Sequence, residues 1–210
     1  MCYSAESSLT AFIIGTAAGS YLLFKSKDRT NKFIGLFLII VNLMQLLEYF
    51  MWIDQKCKKL NEIASKLVNP VLTLQLISLT YGAYIFKISY LPNNILIIIS
   101  VLLILKLCEQ LYQNFFNNNY SWCTRPNEDN SLQWANHNKS KNKIGEIIYY
   151  LIFVLTPVFF KDRIKGVLFF LLLAASWLYN RYENWDTSNS RWCYYSAFTP
   201  LFFILLEKLQ

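Results

Sequence analysis

The sequence predicts an all-α polytopic membrane protein, a bundle of seven transmembrane helices. Hydrophobic residues make up 55% of its 210 residues and charged residues only 16%, a composition unlike that of an ordinary soluble domain. The apolar residues are gathered into seven successive segments separated by charged or polar turns. A helix needs about 20 apolar residues to cross a hydrocarbon core. Seven crossings therefore use nearly the whole chain, and we expect a single domain, 1-210.

The apolar segments follow one another closely, except before the fifth. In chain order they are 7–24, 33–53, 60–86, 95–113, 144–160, 164–179 and 192–206. The third begins amphipathically and becomes fully apolar at Val68, and Pro70 predicts a kink near the membrane surface. A polar, Asn-rich extramembrane loop at about 114–142 precedes the fifth segment. The last three segments are short, so tilt or extra flanking turns must complete them.

The basic residues near the first segment indicate the orientation. No Lys or Arg precedes this segment, and four follow it closely: Lys25, Lys27, Arg29 and Lys32. Short cytoplasmic loops are enriched in Lys and Arg, so we expect the N-terminus outside or lumenal and the C-terminus in the cytoplasm. Anionic lipid headgroups account for the net charge of +7 better than nucleic acid does. The lipid bilayer is therefore the expected partner, and no nucleic acid is expected.

On this topology, all five cysteines and six tryptophans lie at or near the outer face. Four cysteines fall in or beside outer segments: Cys2, Cys57, Cys123 and Cys193. Disulfides form in oxidising compartments, so we expect at least one bridge, although the sequence does not choose among the three pairings. Four free thiols are the alternative. The tryptophans form either an interfacial belt or the lining of an external cap.

Polar residues inside the apolar segments suggest a site, because intramembrane charges are costly and usually face a partner or a wet cavity. The candidates lie toward the outer face: Gln45, Glu48 and Trp52 on the second segment, Lys106, Glu109, Gln110 and Gln113 on the fourth, and Glu183 after the sixth. We expect an outward-facing polar pocket with a Glu48–Lys106 ion pair at its base. Glu109 competes for Lys106, since residues three apart on a helix are neighbours.

Three functions remain open from these residues. The first is binding or transport of a small polar or ionic ligand in the polar pocket. The second is a lipid-modifying enzyme with Glu48 or Glu109 as acid or base and Cys2 or Cys193 as nucleophile. The third is a structural membrane component, in which the polar residues only form interhelical hydrogen bonds worth around 0.6 kcal/mol each.

The residue types and spacings in the sequence disfavour metal, nucleotide and retinal sites. His137 is the only histidine, and the cysteines lack CxxC spacing, so no metal centre is expected. No Walker or Rossmann glycine pattern is present, and the last segment has no central lysine for a retinal Schiff base. We therefore expect no cofactor.

The opening Met1-Cys2-Tyr3-Ser4-Ala5 resembles the start of an uncharacterised family of small multi-pass membrane proteins whose chains begin Met-Cys-Phe-Ser-Ala. Further resemblance comes from Gln45, Glu48 and Trp52 on the second segment and from Trp192-Cys193. Tyr3 replaces the usual Phe, and Tyr49 stands where a small residue is expected, so the chain resembles a divergent member. The bias toward Asn, Lys, Ile, Tyr and Phe is typical of an AT-rich genome, such as that of a protist or a large DNA virus. The resemblance implies the fold class and marks these residues, but it implies no activity.

Overall fold

The fold is described by a computed structural model and consists almost entirely of helices. The described residues are 4–117, 121–128, 130–135, 149, 151–153, 156–183 and 187–209, with only the backbone described at 181 and 183. The helices are α1 (Ala5–Lys25), α2 (Arg29–Ile53), α3 (Lys59–Ile85), α4 (Asn93–Phe116), α5 (Arg163–Glu183), α6 (Ser188–Ser196) and α7 (Thr199–Leu209). A 3-10 turn spans Thr156–Phe159, and two short strands, β1 (Arg125–Pro126) and β2 (Leu132–Gln133), pair antiparallel.

Five of these helices, α1 to α5, are long and apolar enough to cross a membrane. They confirm the all-α class and correspond to the first four predicted segments and the sixth. The predicted fifth segment, 144–160, lies only partly within the described residues; its described part is helical at 149 and 151–153 and includes the 3-10 turn.

The predicted seventh segment, 192–206, is not one continuous helix. It is divided into α6 and α7 by a turn at Ala197 and Phe198. Pro200 explains the break, because proline has no N–H to donate to the carbonyl of Ser196 and its ring crowds that carbonyl. By contrast, Pro70 lies inside the continuous helix α3.

Helix α2 is the central element, in contact with α1, α3, α6 and α7. Glycines allow its closest contact: a methyl group on Gly35 would lie 2.5 Å from the Gly19 carbonyl oxygen of α1. Small residues permit such close helix approach in membranes. Gly19 belongs to the GxxxG pair with Gly15 in α1, so this spacing marks the face that α1 presents to α2.

An aromatic cluster fills the core around the first half of α2. Phe33 packs edge-on against Phe160 at 5.3 Å between ring centroids, and Phe37 packs edge-on against Phe169 at 5.6 Å. Phe169 in turn contacts Phe203 of α7. All five rings are fully buried, and edge-to-face pairs add to the stabilisation from burial. This half of the bundle is therefore held together mainly by apolar contacts.

The turns at this end of the bundle are joined to one another by ion pairs and hydrogen bonds. We call this end of the bundle the charged end. Lys165 forms ion pairs with Asp28 at 3.1 Å and with Asp162 at 3.4 Å. The Ser26 hydroxyl donates to Glu207 near the C-terminus at 2.6 Å. The backbone N–H of Lys161 donates to the Ile88 carbonyl at 2.7 Å. The α1–α2 turn, the α3–α4 turn, the start of α5 and the end of α7 therefore share one end, as the predicted topology requires.

The opposite end is covered by the described residues of 121–135 (121–128 and 130–135), which we call the cap. This segment belongs to the predicted polar loop at 114–142, but it folds onto the helix ends instead of extending away. Cys123 of the cap lies within disulfide distance of Cys57, with 5.4 Å between their Cα atoms. Asn61 of α3 donates to the Thr124 carbonyl at 2.9 Å and accepts from the Thr124 N–H at 3.0 Å. A cysteine pair at disulfide distance and a buried amide therefore hold the cap at the start of α3.

Asp54 organises the connection between α2 and α3. Its carboxylate accepts hydrogen bonds from the backbone N–H groups of Lys58, Leu60 and Asn61. Asp54 therefore caps the start of α3, where the N-cap residue Lys58 makes no side-chain capping hydrogen bond. These bonds, above all the one from Asn61, hold the pKa of Asp54 below its ordinary value, because they favour the charged form.

We predict that Asp54→Asn lowers the melting temperature at neutral pH. A carboxyl whose pKa is depressed in the folded state stabilises it above the unfolded pKa, and this contribution is lost as the pH falls through the folded pKa. The difference between wild type and variant should therefore be constant above about pH 5 and shrink below about pH 4. Melting curves in detergent from pH 3 to 8 test this. A difference that persists undiminished at pH 3 would contradict the assigned role.

Candidate functional site

The predicted polar residues of α2 point into the bundle. Gln45 and Glu48 are fully buried, and so is Asn42, which was not predicted and lies one turn before Gln45. The Gln45 side-chain N–H donates to the Glu48 carboxylate at 3.0 Å. Trp52, one turn further on, is half-buried and packs against the core. The spacing in the sequence thus identified a true inward-facing stripe, because α2 is surrounded by other helices.

The Glu48 carboxylate also receives a hydrogen bond from the cap. The indole N–H of Trp134 donates to Glu48 Oε1 at 3.1 Å, and Trp134 is itself buried. The neighbouring Ala135 N–H bonds to the Thr124 hydroxyl at 3.2 Å, and strand β2 ends just before Trp134. The cap therefore holds the indole over the carboxylate, and Glu48 lies beneath a closed lid rather than in an open vestibule.

Cys193 lies in α6, which packs against α2. Its thiol is fully buried and, among the described cysteines, has no disulfide partner. Trp192, the preceding residue, donates to the Leu173 carbonyl of α5 at 3.0 Å. The Trp192-Cys193 pair therefore lies in a helix that contacts both α5 and α2. A buried thiol is poorly placed to attack a lipid substrate.

The polar residues of α4 do not join Glu48. Lys106 forms its ion pair with Glu109 at 2.8 Å, and Gln113 donates to Glu109 at 2.9 Å. The Lys106 and Glu109 side chains are 54% and 48% exposed, so they face away from the bundle. The expected Glu48–Lys106 ion pair is therefore wrong, and the competing partner Glu109 takes its place. The physical reason is that α4 packs on α3 and not on α2.

Two further predicted residues have other positions. Gln110 accepts a hydrogen bond from the Thr73 hydroxyl of α3 at 2.7 Å. Further polar contacts between these helices join Ser100 to Thr80 and Asn114 to the Lys66 carbonyl. Glu183 is the last residue of α5, and its side chain lies outside the described residues.

The predicted cysteines have three different environments. Cys57 and Cys123 lie at disulfide distance, which fits the expectation of at least one bridge. Cys193 is buried without a bonded partner, and Cys108 of α4 is exposed. Cys2 lies outside the described residues, so its pairing stays a prediction.

A second polar region in the middle of the bundle was missed by the sequence analysis. The break between α6 and α7 brings the Ala197 carbonyl next to Gly15 of α1 and Asn42 of α2: an added methyl group on Gly15 would lie 2.6 Å from the Ala197 oxygen and 2.7 Å from Asn42 Oδ1. Both polar atoms of the Asn42 side chain are buried and have no hydrogen-bond partner among the described residues, and the same holds for the hydroxyls of Thr16 and Ser196. Pro200 was the signal in the sequence that could have located this break.

A separate apolar groove opens on the side of the bundle near the charged end. Its volume is about 200 Å³, and it is lined by Thr80, Leu91, Leu96, Ile99, Leu151, Ile152, Thr156 and Phe159. None of these residues carries a carboxylate or a thiol. The only polar side chains among them are Thr80 and Thr156, and both hydroxyls form hydrogen bonds, to Ser100 and to the Ile152 carbonyl.

Comparisons of the chain with protein-family models, with curated proteins and with solved structures found no match. The resemblance to the family whose chains begin Met-Cys-Phe-Ser-Ala stays a prediction. The chemistry of the site follows from its own residues.

We predict that Trp134→Phe destabilises the protein by at least about 1–3 kcal/mol, because it removes a donor from a buried carboxylate and also leaves a smaller ring in a buried position. In the Glu48→Met background the same substitution should cost less, since the methionine needs no donor and only the loss of packing remains. Denaturant or thermal unfolding of the four proteins gives the coupling energy. Additive effects of the two substitutions would show that the hydrogen bond does not stabilise the fold.

Proposed function

We propose that this membrane protein binds a small cation inside its bundle, at the break between α6 and α7. The observation that supports this most directly is the Asn42 side chain. It is 0% exposed, and within the described part of the chain neither Oδ1 nor Nδ2 has a hydrogen-bond partner. Buried polar groups are nearly always satisfied, so an amide in this state is suited to a polar guest.

Most of the polar groups around Asn42 carry an oxygen atom that can act as a ligand to a cation. The Ala197 carbonyl oxygen and the side-chain amide of Asn42 approach the same point beside Gly15, and Nδ2 of the amide lies nearer to it than Oδ1. Cation binding would therefore require the Asn42 amide to rotate so that Oδ1 faces the ligand. Within the described residues, the hydroxyls of the adjacent Thr16 and Ser196 are unpartnered. Hard cations take oxygen ligands, including amide and backbone carbonyl oxygens. The C-terminal end of a helix also carries partial negative charge, and interrupted helices form cation sites in several transporters in this way.

Glu48 supplies negative charge near the proposed site. It lies six residues beyond Asn42 on α2, which is about 9 Å along the helix axis, and Gln45 lies between them. The Oε1 atom of Gln45 is buried without a partner, so the polar stripe continues from the carboxylate to the break. A single carboxylate favours a ligand of charge +1, such as Na⁺, K⁺ or a small ammonium ion. Entry from the capped end would require Trp134 to move.

We predict that one of these cations raises the melting temperature of the purified protein above its value in choline chloride at equal ionic strength. A ligand at 100 times its Kd stabilises the folded state by about 2.7 kcal/mol. Asn42→Leu should abolish the cation-dependent shift. It should also raise the melting temperature in choline chloride, because it removes an unsatisfied buried amide.

Asn31 provides a matched control. It is also in α2, is 1% exposed and has both polar atoms of its side chain unpartnered, but it lies at the charged end. Asn31→Leu should keep the full cation-dependent shift. Equal melting temperatures of the wild type in sodium, potassium, ammonium and choline chloride would refute cation binding. Loss of the shift in Asn31→Leu as well as in Asn42→Leu would refute its location.

A structural role without a ligand is the second candidate, and the contacts of the cap favour it. The Cys57–Cys123 pair, the Asn61–Thr124 hydrogen bonds and the Trp134–Glu48 bond all hold residues 121–135 on the helix ends. On this interpretation the polar stripe of α2 serves to anchor the cap. The salt comparison distinguishes the two candidates, because a scaffold has no preference among monovalent cations.

We further propose seven membrane crossings, with the N-terminus outside or lumenal and the C-terminus in the cytoplasm. The segment around 144–160 would be the fifth crossing, and α6 with α7 the seventh: at 9 and 11 residues, the two helices together are about 30 Å long, enough for the hydrocarbon core. The basic turns cluster at the charged end, which is expected for the cytoplasmic side. The Cys57–Cys123 pair lies at the other end, where an oxidising compartment would allow a disulfide.

This orientation predicts opposite accessibility for two introduced cysteines. In intact cells or sealed vesicles of outside-out orientation, a membrane-impermeant maleimide should label Glu128→Cys, an exposed position in the cap. Lys27→Cys, at the charged end, should be labelled only after permeabilisation. The reverse pattern would invert the proposed topology.

A further inference from the structure

The Cys57–Cys123 pair lies in positively charged surroundings at the edge of the cap. Both residues are half-buried, so neither is sealed in the core. The Arg125 side chain donates from Nε to Cys123 Sγ at 3.4 Å. Three exposed lysines flank Cys57 along the chain: Lys56, Lys58 and Lys59. Reactive cysteines are found in such electropositive, partly exposed places, whereas buried structural cysteines are inert.

These charges favour thiol–disulfide exchange at the pair. Exchange is faster when the sulfur that leaves is stabilised as a thiolate, and the guanidinium of Arg125 is permanently charged and in contact with Cys123 Sγ. An attacking thiolate is attracted by the lysines around Cys57. The carboxylate of Asp54 in the same connection is occupied by backbone N–H groups of the α3 start. Attack at Cys57 with departure of Cys123 is therefore the favoured direction.

The pair also differs in kind from the other described contacts that hold the cap on the bundle. Asn61 bonds to Thr124, the Arg191 guanidinium donates from Nε to the Ser131 hydroxyl at 3.1 Å, and Trp134 donates to Glu48. Each of these is a hydrogen bond, whose net contribution is small when water can replace the partner. A covalent cross-link restricts the open chain whether or not water is present.

We propose that Cys57 and Cys123 form a reversible disulfide, an exchange site for a dithiol reductant that locks the cap over Glu48. A thiolate of the reductant attacks Cys57 Sγ, the Cys57–Cys123 bond breaks, and Cys123 leaves as a thiolate beside Arg125. The second thiol of the reductant then displaces Cys57 and closes the reductant's own disulfide. The protein pair gains two electrons and two protons, and the dithiol loses the same. Reduction lets the cap lift Trp134 away from Glu48, and this inference does not depend on cation binding.

The rate of reduction tests the exchange site in the purified full-length protein. Dithiothreitol is added at neutral pH without denaturant, and alkylation followed by mass spectrometry measures the thiols of Cys57 and Cys123. Arg125→Gln should slow reduction severalfold, and Arg125→Lys should restore most of the wild-type rate, because it restores the charge. Lys27→Gln is the matched control: it removes the same charge at the charged end and should leave the rate unchanged.

Three outcomes of this measurement would overturn the proposal. The first is a pair of thiols that stay free after exposure to oxidised glutathione. The second is a disulfide that dithiothreitol reduces only when the protein unfolds. The third is an equal rate of reduction in Arg125→Gln, Lys27→Gln and the wild type.

Hydrogen exchange of backbone amides tests the lock itself. The N–H groups of Thr124, Asn127 and Ala135 are hydrogen-bonded within the closed cap or to α3. In dithiothreitol, peptides from the cap should exchange about tenfold faster or more than in the oxidised protein, because loss of a cross-link enlarges the open ensemble. The control is the contact between the Tyr90 N–H and the Phe159 carbonyl at the charged end, where exchange should not change.

Exchange in the cap that is the same before and after reduction would overturn the lock. Equal acceleration in the cap and at the charged end would also overturn it, because the pair would then stabilise the whole fold and not the closed cap.

Discussion

The arrangement of the bundle depends on keeping one carboxylate, that of Glu48, hydrogen-bonded after it has been removed from water. A charged carboxyl group in an apolar interior is costly unless donors surround it. Gln45 supplies one donor from the same helix, and Trp134 supplies another from the cap. The second donor requires residues 121–135 to lie on the helix ends, and the Cys57–Cys123 pair and Asn61 hold them there. The burial of Glu48 therefore depends on the position of the cap.

The bundle divides into two halves with different chemistry. The half near the charged end contains the aromatic cluster of Phe33, Phe37 and their neighbours, which offers no polar group to a ligand. The other half contains the polar stripe of α2 and the break between α6 and α7. A ligand in the polar half could cross to the charged end only if the aromatic cluster rearranged. This arrangement agrees with the proposed binding, or with transport through such a rearrangement, and not with a permanently open pore.

The sequence predicted correctly those features that depend on the spacing of residues within one helix. The spacing of Gln45 and Glu48 predicted an inward stripe correctly, because α2 has neighbours on most sides. The face of α4 was harder to predict: its apolar residues surround the whole helix, so the pattern does not say whether Lys106 points inward or outward. The Trp134–Glu48 bond joins residues 86 positions apart, and no local pattern encodes such a contact. The break at Ala197 was visible in Pro200, but hydrophobicity alone made 192–206 look continuous.

This separation along the chain has a consequence for biosynthesis. If the helices enter the membrane in the order in which the ribosome makes them, α2 is inserted before Trp134 has been synthesised. Glu48 must then pass through insertion with Gln45 as its local donor, because Trp134 reaches it only after the cap has folded onto the helix ends. Folding of the outer loop would therefore set the moment at which this buried carboxyl group receives its donor from outside α2.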